Sequence, residues 1–373
     1  MKPATYFIFL FLFLDACIEP FNVKIPSNQQ AIVVEGMISD QPGPYTVLLY
    51  RALPLDDEFH YPDWVAGATI SIYDDQGASE TLTESAPGHY ITSTFQGVVG
   101  RSYHIRIVTE EGKIYESVPE KMEPVGDFSN LRYEFLQPQN PSADRASLDP
   151  KNGFKIFLDA DVLPEQGGLV RWRWTGTFEI QTYPELRLKV QVPAGAVIHY
   201  VPNPPPCSGY YVPRGSIDKE QKGPCTCCFC WVTQYNDGPL ISDARFVNNG
   251  KITQYNVAYI PASRRYFYDK YYLEVEQMSV SQTVHDFWKK IEVQSKNGSD
   301  LFQTPPSVTS GNVRLVSGDG EAVIGIFAAS AIKKHSFVIH RDEVPYSVPN
   351  IDSIATSCLE VYKYSSSSKP DFW

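Results

Sequence analysis

A chain of 373 residues is long enough for two domains, and its 43% hydrophobic content supports a real core rather than wholesale disorder. A formal net charge of -11 argues against nucleic acid or an anionic lipid surface as a partner. Aromatic residues make up 13% of the chain and tyrosine is the commonest of them, which favours β-strands.

The first seventeen residues have the pattern of an export signal that ends in a cysteine. Lys2 precedes nine uninterrupted apolar residues, 6–14, and the small residue Ala16 precedes Cys17. Nine helical residues reach about 14 Å, half of a ~30 Å hydrocarbon core, so this stretch is not expected to span a membrane.

The end of this stretch resembles a bacterial lipobox, although Asp15 departs from the usual small neutral residue. We therefore expect residues 1–16 to be a lipoprotein signal peptide, Cys17 to be lipidated, and residues 17–27 to form a tether. Acyl chains anchor a protein through buried methylenes without spanning the bilayer. The alternative is an ordinary signal peptide with an incidental cysteine.

Residues 28–123 show the alternation of an antiparallel β-sandwich. Apolar and polar side chains alternate in short runs, among them 68–73 and 103–108, and turn signals recur roughly every eight to twelve residues. The loop 54–64 is rich in carboxylates, but their spacing does not match a calcium loop. We interpret it as a solvated loop rather than a metal site.

Residues 127–373 are predicted to form a second, fibronectin-like β domain, separated from the first by Pro124 and Gly126. Its clearest strand, 171–180, alternates Arg171 and Arg173 with aromatic residues. The aromatic face favours a core, and the alternative is a sugar-stacking platform. That face carries Trp172, Trp174, Phe178 and Ile180, with Gly176 at a point of close packing.

One helix is predicted, capped by Ser279 or Ser281 and ended by Asn297 and a glycine. Its apolar residues fall on one helical face: Val284, Phe287, Trp288 and Ile291. Residues 311–316, 322–327 and 336–340 are expected to be closing strands of the second domain, and the serine-rich tail 365–368 is expected to be loose.

A cysteine-rich insert, residues 184–238, interrupts the regular strands of the second domain. An exported protein keeps its disulfides, and an even number of cysteines allows three of them in fifteen pairings. Adjacent Cys227 and Cys228 should not bridge each other. Metal binding and a redox pair remain alternatives. The disulfide candidates are Cys207, Cys225, Cys227, Cys228, Cys230 and Cys358.

No catalytic motif is found in the sequence. It contains no Gly-x-Ser-x-Gly, no His-Glu-x-x-His, no phosphate-binding loop and no dinucleotide fingerprint. His285 and Asp286 are adjacent in the predicted helix, and we interpret them as an exposed polar pair rather than a base with its orienting carboxylate. We expect the protein to bind neither a cofactor nor a metal. We also expect that it is not an enzyme.

Several stretches together resemble a family of bacterial lipoproteins known as domain of unknown function four-two-four-nine. The matching stretches are 14–17, 32–36, 40–45, 67–72, 97–103, 230–231, 311–312 and 325–327. The resemblance implies an outer-membrane protein of Bacteroidota-type bacteria that works beside a TonB-dependent receptor. It also implies an immunoglobulin-like or carboxypeptidase-regulatory-like first domain, and it carries no catalytic residues.

The predicted function is therefore binding, as an accessory to an outer-membrane importer, with a lipid anchor and a ligand that the sequence does not identify. One alternative is an exported hydrolase that acts on peptide or glycan. The other is a structural or adhesive surface module, which differs from the accessory only in its partner.

Replacing Cys17 by alanine should abolish acylation, because the thiol is the predicted attachment point of the lipid. The measurement is metabolic labelling with palmitate, followed by fractionation of the membranes. Label that persists in Cys17→Ala would contradict the anchor.

Overall fold

A computed structural model of the protein describes residues 31–52, 62–136, 152–163, 168–191, 198–263, 265–297, 311–318, 323–345 and 354–373. The predicted signal peptide, Cys17, the tether and most of the acidic loop 54–64 lie outside these residues.

The described residues form mainly β-strands, as predicted. The first ten strands are Ile32–Ser39 (β1), Thr46–Arg51 (β2), Asp63–Trp64 (β3), Thr69–Asp74 (β4), Ser79–Thr81 (β5), Thr83–Ala86 (β6), His89–Ile91 (β7), Ser102–Val108 (β8), Ile114–Ser117 (β9) and Glu120–Lys121 (β10). The next eleven are Phe128–Leu136 (β11), Gly153–Asp161 (β12), Val170–Gln181 (β13), Leu188–Gln191 (β14), His199–Pro202 (β15), Tyr210–Tyr211 (β16), Glu220–Gln221 (β17), Phe229–Tyr235 (β18), Leu240–Ile241 (β19), Lys251–Pro261 (β20) and Lys270–Ser279 (β21). Helix Gln282–Asn297 (α1) is followed by Val313–Ser317 (β22), Val323–Ser330 (β23), Ile332–His340 (β24), helix Cys358–Val361 (α2) and Ser365–Ser366 (β25).

The first β-sandwich packs two sheets face to face. One sheet has the strand order β23-β1-β2-β7-β6, with β3 beside β2, and the other has the order β22-β9-β8-β4-β5, with β10 beside β8. Alternate side chains of β4 and β8 point between the sheets, so Ile70, Ile72, Ile105 and Ile107 are buried. The predicted alternation therefore marks the core-facing side of these strands.

Two strands from far along the chain complete this sandwich. Strand β23 runs parallel to β1 from the Ile32–Val323 pair to the Ser39–Ser330 pair, and β22 lies antiparallel to β9. The prediction that 311–316 and 322–327 close the second domain is therefore wrong, and the first domain extends beyond 28–123. Alternation reports which face of a strand is buried, but not which sheet the strand joins.

The Asn312 side chain fastens these late strands to the first sandwich. Its amide donates to the Glu120 carboxylate at 2.8 Å and to the Phe327 carbonyl at 2.7 Å, and its oxygen accepts from the Phe327 N–H at 2.9 Å. Burial raises the pKa of the Glu120 carboxyl, while the bonds from Ser281 and Asn312 offset part of that rise. All three hydrogen bonds of the Asn312 side chain are shielded from water, so losing one would leave a buried polar group unsatisfied.

The second domain packs a three-stranded sheet, β11-β12-β20, against a larger sheet of order β24-β21-β13-β18-β25, with β19 beside β13. Its core contains the predicted aromatic face, and Trp172 and Trp174 are 0% and 7% exposed. A Cβ at Gly176 would collide with the Tyr271 hydroxyl, which confirms the predicted close packing. The core interpretation of the two tryptophans is therefore confirmed, and the sugar-stacking platform is excluded.

Two further predictions about this domain need correction. The serine-rich tail is not loose at its start, since Ser365 and Ser366 pair with Val232 and Trp231 as strand β25. The insert also ends earlier than residue 238, because β18 already belongs to the large sheet. Both segments have little apolar periodicity, so local pattern could not reveal their sheet pairing.

The two domains meet at a packed junction. Val284 and Phe287 of α1 contact Ile326 and Ala328 of β23 in an apolar cluster of their own. The Gln277 amide donates to the Gly126 carbonyl at 2.7 Å, which holds the segment between the domains. At this junction a face of the first sandwich packs against a face of the second domain.

Helix α1 begins as predicted, because the Ser281 hydroxyl accepts from the Val284 N–H at 3.2 Å. The interpretation of His285 as an exposed residue is wrong, since its side chain is 12% exposed. Its Nε2 lies 2.9 Å from the Ser242 carbonyl oxygen, so the ring belongs to the packing of α1 on β19.

Replacing Asn312 by alanine should lower the free energy of unfolding by about 3 kcal/mol, because it leaves buried partners of Asn312 unsatisfied. The measurement is urea unfolding followed by circular dichroism. The matched control is Asn203→Ala, at an exposed position, which should change the free energy by no more than about 0.5 kcal/mol. Equal losses in the two variants would contradict the role given to Asn312.

Candidate functional site

The six cysteines other than Cys17 form three disulfides. The pairs are Cys207–Cys227, Cys225–Cys228 and Cys230–Cys358, with Cα separations of 5.6, 5.8 and 5.8 Å. These separations lie within the usual range for a disulfide, and the adjacent cysteines bond to different partners, as expected. Within the described ranges, no three His, Cys, Asp or Glu side chains come together as a metal site.

The insert is built from two small hairpins, β14–β15 and β16–β17, and the Cys207–Cys227 bond ties the second of them to the segment that leads into β18. Its strands bury little, since every residue of β14 is exposed. Main-chain bonds add to the disulfides: the Thr226 N–H donates to the Cys207 carbonyl at 2.8 Å, and the Thr182 N–H donates to the Cys228 carbonyl at 2.7 Å. Cross-links therefore replace the core that this segment lacks.

Several large apolar side chains of the insert lie in water. Leu188 and Val190 are 54% and 57% exposed, and they stand opposite Pro202 and Tyr200, so one face of the β14–β15 hairpin is apolar. Tyr200 itself is 68% exposed. A contiguous exposed apolar face on a rigid segment marks an interaction site. We call this the hairpin face; its residues are Leu188, Val190, Tyr200 and Pro202.

The other face of the same hairpin borders a cavity of about 730 Å³. Its walls are rich in proline and tyrosine, and two lysines reach it, Lys189 and Lys222. Residues 184–228 contain five basic and three acidic residues, whereas the whole chain is strongly acidic. The insert is therefore a locally basic and apolar surface on an acidic protein.

A second concave surface lies at the other end of β18, with a volume of about 490 Å³. We call it the tyrosine groove, after Tyr235, Tyr266, Tyr362 and Tyr364. Tyr235 and Tyr364 meet edge to face with ring centroids 5.4 Å apart. The C-terminal segment that supplies two of these rings is held by the Cys230–Cys358 bond and by β25.

A third cavity, of about 330 Å³, lies between the two domains and is lined by Arg171, Trp288 and Ser330 among others. Among the described residues that line these three cavities, no cavity has two carboxylates or a serine with a histidine. The pairs expected of a hydrolase are therefore not assembled there. What the three share is aromatic and apolar surface with a few polar groups, as in binding sites.

The cysteines of the insert are recognisable in the sequence, but its exposed apolar residues are not. Lys189 and Gln191 alternate with Leu188 and Val190, which is the pattern of a half-buried strand. In the part of the chain that the structure describes, no second layer covers the apolar side, so the same pattern produces an exposed face. The tyrosines of the groove come from three separate stretches, and no local signal brings them together.

Among the described residues, no helix combines the length and apolar character that crossing a membrane requires. A family model described as domain of unknown function (DUF4249) matches residues 18–336. No curated protein matches the sequence.

Removing the Cys230–Cys358 bond by a double serine substitution should cost about 4–5 kcal/mol, because the bond closes a long loop, with a sequence separation of 128. The matched control is the double serine variant at Cys225 and Cys228, whose separation of 3 predicts a much smaller loss. Both are measured by urea unfolding without reductant. Equal destabilisation would show that loop closure is not the source of the effect.

Proposed function

The chain belongs to the family described as domain of unknown function (DUF4249), and on that premise we propose that it is an exported, lipid-anchored binding protein. It serves as an accessory component of a TonB-dependent receptor in the outer membrane. The lipid is carried by Cys17, and the disulfide-bonded insert makes the contact with the receptor.

The observation that carries this proposal is the hairpin face. Leu188, Val190 and Tyr200 are more than half exposed on the β14–β15 hairpin. Its two strands pair antiparallel, and at its base the Asn203 N–H donates to the Arg187 carbonyl at 2.8 Å. A preorganised apolar surface binds without the entropic cost of ordering itself, so it is suited to a protein partner. The basic character of the insert adds attraction to an acidic surface and would increase the rate of association.

The three disulfides support export, since such bonds persist in oxidising compartments. The absence of paired carboxylates, or of a serine with a histidine, in the three cavities favours a binder over the alternative hydrolase. An adhesive module would use the same surface and differ in its partner alone.

Replacing Val190 by glutamate should reduce the recovery of the receptor about tenfold or more, because a buried valine contributes about 1.5 kcal/mol or more. The measurement is affinity purification of the full chain from detergent-solubilised outer membrane, with the receptor identified by mass spectrometry. Exposed Val98 in the first domain provides the matched control, Val98→Glu, and this variant should recover the receptor at the original level.

Two results would contradict the proposal. One is that no TonB-dependent receptor accompanies the original protein. The other is that Val98→Glu and Val190→Glu lose the receptor to the same degree, since the contact would then not involve the hairpin face.

A further inference from the structure

The cavity between the domains contains an arginine that no acidic group neutralises by direct contact. Arg171 lies at the start of β13, on the face of the large sheet that is covered by α1 and the first sandwich. Within the described residues its guanidinium makes no hydrogen bond and no ion pair, and its Nε is buried without a partner. Its one specific contact is with Trp288, whose ring centroid lies 3.8 Å from Cζ.

Other arginines of the protein differ from Arg171 in their ion pairing or their exposure. Arg173, two residues further along the same face, forms an ion pair with Glu276, which also pairs with Lys334 at 2.6 Å. In the described ranges Arg214 and Arg265 also form no ion pair, but they are exposed to water. Arg171 is thus half-buried and unpaired, with its Nε shielded from water, which is costly unless an anion supplies the missing bonds.

The charge at Arg171 persists at neutral pH. Burial lowers the pKa of the guanidinium to about 10, and Glu35 opposes that fall through its charge. Glu35 lies on the cavity wall but not within ion-pair distance in the described structure. The cavity therefore holds a cation whose nearest carboxylate does not reach it.

A second polar atom in the same cavity also has no partner. The Ser330 hydroxyl is buried and makes no hydrogen bond, although Ser330 lies at the end of β23 and lines the cavity. Arg171 and Ser330 therefore each bring an unsatisfied donor to the same cavity. The remaining walls are mostly apolar, and they include Met278, Val280, Val284, Ile326 and Ala328.

We propose that this cleft binds a small monocarboxylate with an apolar body, whose carboxylate accepts hydrogen bonds from the Arg171 guanidinium. The planar fork of arginine matches the two oxygens of a carboxylate. The Ser330 hydroxyl provides a further donor in the same cavity, and the methionine, valine and isoleucine side chains contact the apolar body. A phosphate would bring a larger charge towards Glu35, with a single free guanidinium to balance it.

This site is separate from the proposed receptor contact. Arg171 and the insert lie at opposite ends of β13, ten residues apart along the strand, or roughly 33 Å. Loss of carboxylate binding would therefore leave the recovery of the receptor unchanged, and loss of the receptor contact would leave carboxylate binding unchanged.

The test is isothermal titration of the full chain with hexanoate, together with its melting temperature with and without hexanoate. Hexanamide, which has the same carbon chain without the charge, should not bind measurably. Arg171→Met should weaken hexanoate binding about tenfold or more, because a charge-assisted bond is lost. Arg171→Lys keeps the charge but not the fork, and it should weaken binding less than Arg171→Met.

The matched control is Arg106→Met, on the first sandwich, where Arg106 pairs with Glu116 at 3.0 Å. This variant should bind hexanoate as the original does. Without hexanoate, Arg171→Met should melt at the original temperature or higher, since an enclosed unpaired charge is removed. A lower melting temperature together with unchanged hexanoate affinity would show that Arg171 serves packing against Trp288, and would overturn the proposal.

Glu35→Gln provides an independent test, because removing the nearby negative charge should strengthen hexanoate binding several-fold. The proposal fails if hexanoate and hexanamide bind alike, if neither binds, or if inorganic phosphate binds at Arg171 while hexanoate does not.

Discussion

The parallel pairing of β1 with β23 is the interaction on which the rest of the structure depends. It joins residues about 290 positions apart, and it places a strand that follows most of the second domain at the edge of a sheet of the first. Asn312 secures the neighbouring segment through bonds that are all shielded from water. Because β23 also packs against α1, the same strand that completes the first sandwich builds the junction between the domains.

The insert and the junction between the domains present two different kinds of surface. The insert has little core. Disulfides tie its second hairpin, main-chain pairing holds the first, and apolar side chains are left in water. The cleft arises differently, where two well-packed sandwiches meet without filling the space between them. One surface is suited to a large partner and the other to a small molecule, and the two lie at opposite ends of β13.

Local pattern in the sequence predicted the buried faces, because alternation follows directly from strand geometry. Trp172 and Trp174 are in the core for that reason, and Ser281 caps α1 as its residue type suggests. The partner of β23 was missed, since pairing over such a distance leaves no local pattern. Arg171 stood on the polar side of its strand, and only the fold reveals that α1 and the first sandwich enclose that side.

The distant partner of β1 also has a consequence for the order of events during synthesis. Strand β1 is synthesised about 290 residues before β23, the strand that covers its edge. Until then β1 presents unpaired backbone groups, and such edges promote aggregation. Contacts this remote in sequence slow folding, so a factor that shields β1 would increase the yield of native protein.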